Sequence, residues 1–593
     1  MPGRTLPRLV PTAPPPVAVL AGCATAATVL TLAVTRGRAG LAPGAIVGAT
    51  LAWGVLVAGA AWRRIRALTP GLAIAVSRPL GLVLTGAGLV FVTGIWWGWP
   101  GGLWAPDELD PQAVLDGLAA GFSNGWYDLY PPLHYYLLSV AYAPAVVALR
   151  AGWLADGDPA VLAALHLLAR GLTVAMALGT LAGIAALARR VIGDSGGWPA
   201  ALVAAFVLPF GYYAKTANLD VPYVFWFVVS LLWLREAFEH GRTRDLVGFG
   251  VTAALATATK DQAYALYLMP ALLLAWRGRE RGWPARGLIA GGVAGLAVLC
   301  AAHNVLFNAS GFRTHVAAIT TGGSETYRMV SSGLAGQVQL LGLTAGQAWW
   351  MLGIPGSVVL VLGVLAMRRG AGVPVWLVAA AVSYYVTFLA VVGYVYDRFL
   401  LPLVPLVAIV GAAGIRRLVA GWPTRRSGRA LAAVLIAGLA WRALSVDVLL
   451  LRDARYAAEA WLREAAGPGD VVAASTRPGY MPRFAGLDYR EIAPTEAATL
   501  ALAPAFIVVN VEFVARFPGD AAPRRWLAWL ESGRAPYAEA FRYKAPARWT
   551  ALAWWPAFAD RREDPFTNLD KANPEIVIFR RRADAPRPGP DQP

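Results

Sequence analysis

Residues 163–188 read AALHLLARGLTVAMALGTLAGIAALA, a stretch in which only His166 and Arg170 interrupt a run of apolar and small residues. An α-helix needs about 20 predominantly apolar residues to cross the hydrocarbon core of a bilayer, so the stretch predicts a membrane span. The whole chain has a matching composition, since 57% of its 593 residues are hydrophobic and 15% are charged. Ordinary globular domains have about 25% charged residues. The sequence therefore argues against a water-soluble enzyme.

Similar apolar runs recur along the chain, and they predict a polytopic α-helical membrane protein with about 13 spans. The expected spans are residues 16–34, 41–61, 79–99, 163–188, 197–214, 221–238, 246–259, 262–276, 285–307, 352–367, 373–394, 399–415 and 429–450. The apolar run 132–149 is interpreted as an interfacial or re-entrant helix on the outer face. Counting it as a span would move every later basic cluster to the outside.

Basic residues set the orientation of these spans. Residues 1–450 contain 32 Lys and Arg residues and 17 Asp and Glu residues, and the basic ones fall in short clusters between the apolar runs. Because Lys and Arg are retained on the cytoplasmic side, we expect a cytoplasmic N-terminus and acidic outer loops. The sequence thus predicts an integral protein of a bacterial-type inner membrane, in contact with membrane lipids and without a nucleic-acid partner.

Residues 451–593 have a different composition, with 20 basic and 18 acidic residues and no run that could span a bilayer. One helical stretch and three buried strand candidates predict a soluble α/β domain on the outer face. These lie at 456–462, 470–475, 505–511 and 575–579. The predicted domains are extra membrane helices at 1–78, a main membrane domain at 79–450 with its first outer loop at 100–162, and the outer domain at 451–593.

The first outer loop contains two adjacent carboxylates, Asp107 and Glu108, in the sequence WAPDELDP at 104–111. Acidic groups that emerge directly from a membrane helix are costly unless they are paired or used, which favours a functional role. The alternative is an ordinary helix start, in which Asp is the cap and Glu lies in the first turn. The residues alone leave both interpretations open.

Lysine usage gives candidate cations at the same face. The first 450 residues contain only two lysines, Lys215 and Lys260, and both lie at predicted outer helix ends. A compact ammonium suits a phosphate oxygen, whereas the alternative is a side chain that snorkels to the interface. Arg398, just before the span at 399–415, is a third cation, and a structural pair with Asp397 explains it equally well.

Six short motifs follow one another through the membrane half. They are Pro106–Glu108 (PDE), Tyr130–Tyr136 (YPPLHYY), Leu168–Arg170 (LAR), Ala214–Asp220 (AKTANLD), Ala258–Lys260 (ATK) and Asp397–Pro402 (DRFLLP). In this order they resemble the C-superfamily glycosyltransferases, and within them the protein O-mannosyltransferase group and the phospholipid-carrier-dependent glycosyltransferases. The resemblance covers about residues 79–450.

The resemblance implies roles for individual residues. In that family the first acid of the outer-loop pair is the catalytic base, which corresponds to Asp107, and Glu108 occupies the accompanying position. Lys260 corresponds to a lysine near the donor, and Tyr130 stands where many relatives have a lysine before Pro-Pro-Leu. The residues expected to contact the donor phosphate or the substrate are Lys260, Lys215, Asp220, Arg398, Tyr130 and His134.

The implied reaction needs one carboxylate. A sugar on a polyprenyl phosphate already carries its leaving group, unlike the substrate of a glycoside hydrolase, which uses two carboxylates. Asp107 would deprotonate an acceptor hydroxyl that attacks the anomeric carbon with inversion, while cations stabilise the departing phosphate. The expected partners are a polyprenyl-phosphate-linked sugar and a protein, lipid or glycan acceptor.

No cofactor is required by this chemistry, which neither demands nor rules out a divalent metal. The two cysteines, Cys23 and Cys300, lie in apolar runs and form no thiol-based metal site. The membrane-half histidines show no ligand spacing, and a lone membrane histidine is more often simply hydrogen-bonded. These histidines include His134, His166, His303 and His315.

A polytopic transporter or lipid flippase is the alternative function. It should show internal repeats and polar residues near the bilayer midplane, and only Arg442 and Asp447 are candidates for the latter. A non-catalytic assembly protein would explain the outer domain but not the outer acids. The sequence does not identify the sugar, the carrier length or the acceptor.

Overall fold

The computed structural model of the protein describes residues 77–583, apart from several short segments. The segments left out are 101–103, 106, 123–129, 321–326, 369–371, 422–423, 477, 516, 518, 520 and 547–566. The predicted spans at 16–34 and 41–61, and with them nearly all of the predicted first domain, lie outside the described residues.

The described chain up to residue 451 consists of helices joined by turns and short loops. The helices are α1 Arg78–Val92, α2 Pro111–Ala119, α3 Leu133–Ala141, α4 Ala143–Arg150, α5 Pro159–Ile192, α6 Gly197–Ala205, α7 Leu208–Tyr213, α8 Asp220–His240, α9 Thr243–Thr259, α10 Leu268–Glu280, α11 Ala285–Ala302, α12 Ala309–Thr320, α13 Leu334–Met367, α14 Val375–Val392, α15 Val404–Ala420 and α16 Arg425–Leu451. Short 3₁₀ helices, Asp261–Leu266 and Asp397–Leu403, precede α10 and α15.

Seven helical stretches of the described residues are long and apolar enough to cross a membrane. They are Pro159–Ile192, Asp220–His240, Ala285–Ala302, Leu334–Met367, Val375–Val392, Asp397–Ala420 and Arg425–Ala465. The predicted fold class is therefore confirmed, while the count of thirteen spans stays a prediction. The predicted span 197–214 is not one α-helix, because the chain breaks between α6 and α7 near Pro209, which lacks a backbone N–H for the preceding turn.

Helix α5 shows how the sequence sets a span and its overhang. The Asp158 carboxylate accepts a hydrogen bond of 2.8 Å from the Ala160 N–H, and Pro159 occupies the first helical turn. The helix has 34 residues, which gives a length of about 50 Å. This exceeds the hydrocarbon thickness of about 30 Å, so the helix is longer than the bilayer core requires. Its first turns bear His166 and Arg170.

The apolar run 132–149 forms two short helices, α3 with nine residues and α4 with eight, which meet at Tyr142. Each is far below the roughly 20 residues that a span requires. Together with α2 they pack around Leu138 and Tyr142, which are completely buried against the start of α5. The break at Tyr142 agrees with the interpretation that residues 132–149 do not form a single membrane span.

The C-terminal region folds around one five-stranded sheet. Its strands are β1 Val471–Ala474, β2 Asp488–Glu491, β3 Phe506–Asn510, β4 Tyr537–Tyr543 and β5 Ile576–Arg581, and its helices are α17 Ala454–Ala465, α18 Glu496–Leu502, α19 Val511–Val514 and α20 Ala522–Glu531. The strand order is β2-β1-β3-β5-β4, in which β2, β1 and β3 are parallel and β5 is antiparallel to both β3 and β4.

The predicted small α/β domain is confirmed in its buried strands. Strands β1, β3 and β5 lie where apolar runs predicted them, because these runs are buried on both faces. Strands β2 and β4 were not predicted. Both are edge strands with mostly exposed side chains, and their sequences, DYRE and YAEAFRY, contain no apolar run.

The C-terminal domain is joined to the membrane half by buried polar contacts. Trp97 Nε1 donates to Asp453 Oδ2 at 2.9 Å, and Trp104 Nε1 donates to the Met481 carbonyl at 2.9 Å. The Arg455 guanidinium lies 4.1 Å from the centre of the Trp104 ring. Because these side chains are almost fully buried, the domain is packed onto the first outer loop rather than held only by a linker.

Candidate functional site

Asp107 lies at the exposed edge of the first outer loop, between Ala105 and the buried Leu109. Its backbone has φ 62, a left-handed conformation that costs energy for a residue other than glycine, although Asp and Asn tolerate it best. The side chain is 38% exposed, and Oδ2 accepts a hydrogen bond from Arg398 Nη1 at 2.5 Å. The loop thus presents a solvent-accessible carboxylate against a cation from a distant helix.

Several cations act on the Asp107 carboxylate. Burial alone would raise the pKa of Asp107, but the Arg398 guanidinium, together with Lys571 and Lys260, holds the pKa below its ordinary value. Asp107 is therefore ionised at neutral pH, the state that a proton acceptor needs. Lys571 comes from the 3₁₀ helix Asn568–Lys571 of the C-terminal domain, so both halves of the chain contribute charge to this site.

Glu108 faces the other way and its side chain is completely buried. Arg170 donates from Nε and Nη2 to the two carboxylate oxygens, each at 2.8 Å, and the Ala217 N–H donates to Oε1 at 2.7 Å. His166 Nε2 lies 3.1 Å from Oε2. Burial alone would raise the pKa of Glu108, but Arg170 and His166 hold it well below its ordinary range. Glu108 anchors the loop that presents Asp107.

Arg398 belongs to the 3₁₀ helix Asp397–Leu403 and has hydrogen-bonding capacity beyond its pair with Asp107. Its Nε is buried and has no hydrogen-bond partner among the described residues. The guanidinium lies 5.4 Å from the centre of the Tyr396 ring and 5.8 Å from that of Phe399. An arginine with a spare donor beside a carboxylate is suited to a planar or tetrahedral anion.

Asp397 ties the Arg398 segment to the C-terminal domain. Its carboxylate is fully buried, and Oδ2 accepts a hydrogen bond of 2.5 Å from Thr567 Oγ1. Thr567 also caps the 3₁₀ helix that carries Lys571, since its Oγ1 accepts a bond from the Leu569 N–H at 3.1 Å. One hydrogen bond therefore links the segment that places Arg398 to the segment that places Lys571.

Lys260 and Asp220 lie together beside this group. Lys260 Nζ donates to Asp220 Oδ1 at 2.7 Å, and both side chains are largely buried, at 9% and 2% exposure. The ammonium also lies 5.7 Å from the centre of the Tyr223 ring. Lys260 is near enough to lower the pKa of Asp107, so the two predicted residues are brought to one site.

Lys215 is placed differently. Its ammonium donates to the carbonyl oxygens of Val90 and Thr93, each at 2.9 Å, and forms an ion pair with Asp447 of α16. A lysine has three N–H donors, and these three contacts use all of them. The structure therefore gives Lys215 a role inside the helix bundle and leaves it no donor for a substrate.

Tyr130 and His134 were also predicted at the substrate site. Burial raises the pKa of the Tyr130 phenol, and the nearby negative charge of Asp107 raises it further. The Tyr130 hydroxyl therefore stays protonated. His134 is 1% exposed, and burial lowers its pKa to about 4, which keeps it neutral. Within the described residues, no hydrogen bond or ion pair joins His134 to Asp107, so the structure groups only Tyr130 with the acid.

Three contributors were not predicted as site residues from the sequence. Arg170 occurs in the quoted motif Leu168–Arg170 without an assigned role, although an arginine inside an apolar span is itself a signal for a buried partner. Thr567 and Lys571 come from the C-terminal domain, whose role the sequence leaves open. Lys571 is one of only four lysines in the chain, so the scarcity of lysine is a signal that could have marked it as a site residue.

Residues 147–307 match the family described as dolichyl-phosphate-mannose-protein mannosyltransferase. No curated protein matches the chain. The crystal structure of ArnT from Cupriavidus metallidurans bound to undecaprenyl phosphate is 14% identical, covers 84% of this chain and 97% of its own, and has a TM-score of 0.44. The oligosaccharyltransferase of Archaeoglobus fulgidus is 13% identical, covers 79% of this chain and 73% of its own, and has a TM-score of 0.42.

The family match lies where several of the quoted motifs lie. Residues 147–307 include Arg170, Asp220 and Lys260, whereas Asp107 and Arg398 lie outside the matched segment. The resemblance to the C-superfamily glycosyltransferases, and to their protein O-mannosyltransferase group, is thereby confirmed over this segment.

Proposed function

We propose that the protein transfers a sugar from a polyprenyl-phosphate carrier to an acceptor hydroxyl at the outer face of the membrane. The observation that carries this proposal is the pair of Asp107 and Arg398. An exposed, ionised carboxylate stands beside an arginine with a spare buried donor, and Lys260 lies in the same group. This is a proton acceptor next to an anion-binding group, which is what the reaction needs.

The proposed reaction is a direct displacement. The acceptor oxygen forms a bond to the anomeric carbon while the bond from that carbon to the phosphate oxygen breaks, with inversion. The electron pair leaves with the phosphate, and the acceptor proton goes to an oxygen of Asp107. Arg398 stabilises the departing phosphate by charge-assisted hydrogen bonds, and Lys260 supports the negative charge from nearby.

The environment of Asp107 supports this division of labour. Arg398 holds the pKa of Asp107 low, which keeps the carboxylate ionised but also occupies Oδ2. When a phosphate binds to Arg398, the guanidinium is shared between two anions, which frees Asp107 to accept a proton. Glu108 does not serve as a second base in this proposal, because its oxygens are bonded to Arg170 and Ala217.

The donor class rests on the apolar helices and on the family match. The description of the matched family names a dolichyl-phosphate sugar. The isoprenoid tail of such a donor would lie along the apolar helix surfaces. Exposed leucine, isoleucine and valine side chains on α11 and α13 offer such a surface. No metal ion is required, and the sugar and acceptor are left open.

The proposed domain arrangement places residues 79–450 in an inner membrane as the catalytic part and residues 451–593 outside, with a cytoplasmic N-terminus. This arrangement is tested with a variant that has a single cysteine at position 470, in which Cys23 and Cys300 have been replaced. Labelling of intact cells or spheroplasts by a membrane-impermeant maleimide is expected. Labelling that requires access from the cytoplasmic side would overturn the site assignment as well as the topology.

The function is tested by complementation of a strain that lacks the gene. Lipid-linked sugars and surface glycans are compared by mass spectrometry after expression of the wild-type protein, Asp107→Asn or Asp116→Asn. Asp116 is the matched control because it lies exposed on α2 in the same loop, and among the described residues its hydrogen bonds are to Gln112 and to the helix end. We expect the wild type and Asp116→Asn to restore one glycan product, and Asp107→Asn to leave it absent. Restoration by Asp107→Asn at equal protein level would refute the proposal.

The transporter alternative is not favoured by any specific contact in the described residues. Asp447 is paired with Lys215, and the Arg442 guanidinium donates to the Trp350 carbonyl near the kink of α13 at Gly353. Both side chains make these packing contacts, while Arg442 Nε and Asp447 Oδ2 have no hydrogen-bond partner among the described residues.

A further inference from the structure

Three potential metal ligands meet at the end of the bundle that carries Lys260. They are Asp261, which begins the 3₁₀ helix Asp261–Leu266, His303 at the end of α11, and His315 within α12. His315 Nε2 lies 3.1 Å and His303 Nε2 lies 3.9 Å from Asp261 Oδ1. One ligand atom from each residue lies within 4.8 Å of the other two. No local sequence pattern indicates this cluster, because its members are 42 and 12 residues apart.

The orientation of His303 favours a cation at the centre of this cluster. Its Nδ1 lies 3.1 Å from the Leu299 carbonyl, and a carbonyl only accepts hydrogen bonds, so Nδ1 carries the proton. In the neutral ring Nε2 then has a lone pair, which faces the Asp261 carboxylate. These two electron-rich atoms repel each other unless a proton or a metal ion lies between them, and one metal ion can serve His303 and His315 at once. A backbone carbonyl bonded to the far nitrogen is also the usual support of a metal-bound histidine.

We propose that Asp261, His303 and His315 bind one divalent transition-metal ion, with zinc as the best fit. Zinc binds nitrogen and carboxylate oxygen at about 2.0–2.2 Å in a tetrahedron, whose neighbouring ligand atoms are then about 3.3 Å apart. The measured separations of 3.1 and 3.9 Å bracket this value. The Asp261 side chain is 24% exposed, which leaves room for a water molecule as the fourth ligand.

The helices that lead to the cluster are closely packed. Helices α9 and α11 pack at backbone contact through Gly250 and Gly291, so that a side chain at Gly250 would overlap the Gly291 carbonyl. The turn after α11 is joined to the first outer loop, because Asn304 Nδ2 and Asn308 Nδ2 both donate to the Phe122 carbonyl, at 3.2 and 3.1 Å. Such fixed elements hold ligands in place before the ion arrives.

The ion would act on the transferase site through one peptide bond. Asp261 directly follows Lys260, whose ammonium pairs with Asp220, so a metal that fixes Asp261 also fixes the backbone of Lys260. This second part rests on the proposed function, whereas the binding of the ion does not. Asp261, His303 and His315 are positioning residues in this proposal, since none of them touches the reacting atoms.

Metal content gives the first test. Full-length protein in nanodiscs is stripped with EDTA, reloaded with Zn²⁺ or Co²⁺, freed of excess ion and analysed by elemental mass spectrometry and visible absorption. We expect about one equivalent of zinc and the absorption bands of a tetrahedral Co²⁺ site. His315→Ala and Asp261→Asn should each lower the affinity for zinc by at least about 10-fold. His240→Ala is the control, because His240 is exposed at the opposite end of α8.

The outcomes separate the proposals. Wild-type protein that binds no zinc, or His315→Ala and Asp261→Asn proteins that bind it as well as the wild type, would overturn the metal site. Folding of each variant is checked by size-exclusion chromatography, and Asp261→Asn serves if His315→Ala does not fold. If zinc binds as expected, its removal should raise the donor KM in the wild type and have no further effect in Lys260→Ala. Zinc binding in a protein without any transfer activity would refute the proposed function and leave the metal site intact.

Discussion

Two lysine sites in the same molecule look alike in sequence and differ in structure. Lys215 and Lys260 both stand at helix ends, and each pairs with an aspartate. At Lys215 every donor is used, by Val90, Thr93 and Asp447. At Lys260 the pair lies beside Arg398, whose Nε has no hydrogen-bond partner among the described residues, and beside the exposed Asp107.

The two sites differ in what their cations can still bind: Lys215 has no N–H donor left, whereas Arg398 keeps one beside an exposed carboxylate. Buried polar groups in folded proteins are almost always satisfied, so a buried guanidinium nitrogen with a spare donor is informative. Lys215 has no N–H donor left for a ligand, although Asp447 Oδ2 of the same pair has no hydrogen-bond partner among the described residues. The group around Arg398, which we call the Arg398 cluster (Asp107, Asp220, Lys260 and Arg398), is open to a ligand.

The largest effect is expected for Asp107→Asn, which removes the proton acceptor of the Arg398 cluster. Transfer from a synthetic polyprenyl-phosphate sugar should fall by at least about 100-fold, the usual scale for loss of acid–base catalysis. Asn tolerates the left-handed backbone at this position, so folding should be unchanged. Donor binding should survive. Near-normal turnover of correctly folded protein would remove Asp107 from the mechanism.

Arg398→Gln should have the next largest effect, through the donor. Loss of a hydrogen bond to a charged group costs about 1.5–3 kcal/mol, so kcat/KM for the donor should fall by about 10- to 100-fold. Arg398 also holds the pKa of Asp107 below its ordinary value. Removal of Arg398 should raise the pKa of Asp107. The acid limb of the pH–rate profile should therefore move to a higher pH than in the wild type. A pH–rate profile that matches the wild type would contradict this.

Lys260→Ala should have a smaller effect than Arg398→Gln. Lys260 is paired with Asp220, so we expect it to stabilise the phosphate by its nearby charge and not by a direct bond. We expect a rise in the donor KM of about 10-fold and an unchanged acceptor KM, as steady-state kinetics would measure. The variant leaves Asp220 buried without its partner, so Lys260→Met with Asp220→Asn separates that penalty from the loss of charge. Lys544→Ala, on the surface of the C-terminal domain, is the control. Equal donor KM values in wild type and Lys260→Ala would assign Lys260 to packing.

Lys215→Met should leave transfer by the folded enzyme unchanged and should lower stability instead. Removal of one partner of a buried ion pair costs about 3–5 kcal/mol, and replacement of both partners by apolar residues often restores stability. Thermal unfolding in nanodiscs should therefore show a loss for Lys215→Met and recovery for Lys215→Met with Asp447→Leu. A raised donor KM in the double variant would return Lys215 to the substrate site.

The sequence was sufficient for several of the long helices and for the position of two adjacent acids in the first outer loop. Apolar runs located α5, α8 and α16, and the adjacency of Asp107 and Glu108 marked the outer loop. It could not tell which of the two acids is exposed. That is decided by Arg170, 62 residues away in the chain, which binds both Glu108 oxygens. Glu108→Gln should consequently damage folding before it damages chemistry.

Other features depend on contacts over longer distances along the chain. Lys215 finds Asp447 across 232 residues, and no local pattern near Lys215 indicates that partner. Thr567 reaches Asp397 across 170 residues. The edge strands β2 and β4 were missed because their exposed sequences have no apolar run, and they form only because β1 and β5 offer free edges.

The strand order also sets the time at which the protein becomes complete during its synthesis. The last strand in the chain, β5, lies between β3 and β4, and Thr567 and Lys571 precede it by a few residues. The ribosome therefore releases the membrane helices, Asp107 and Arg398 long before the segment that braces Asp397. We expect a chain that stalls before residue 567 to insert its spans and yet hold an unfinished sheet and an unsupported Arg398 segment. The proposed transferase site is thus completed only after the whole outer domain has been translated.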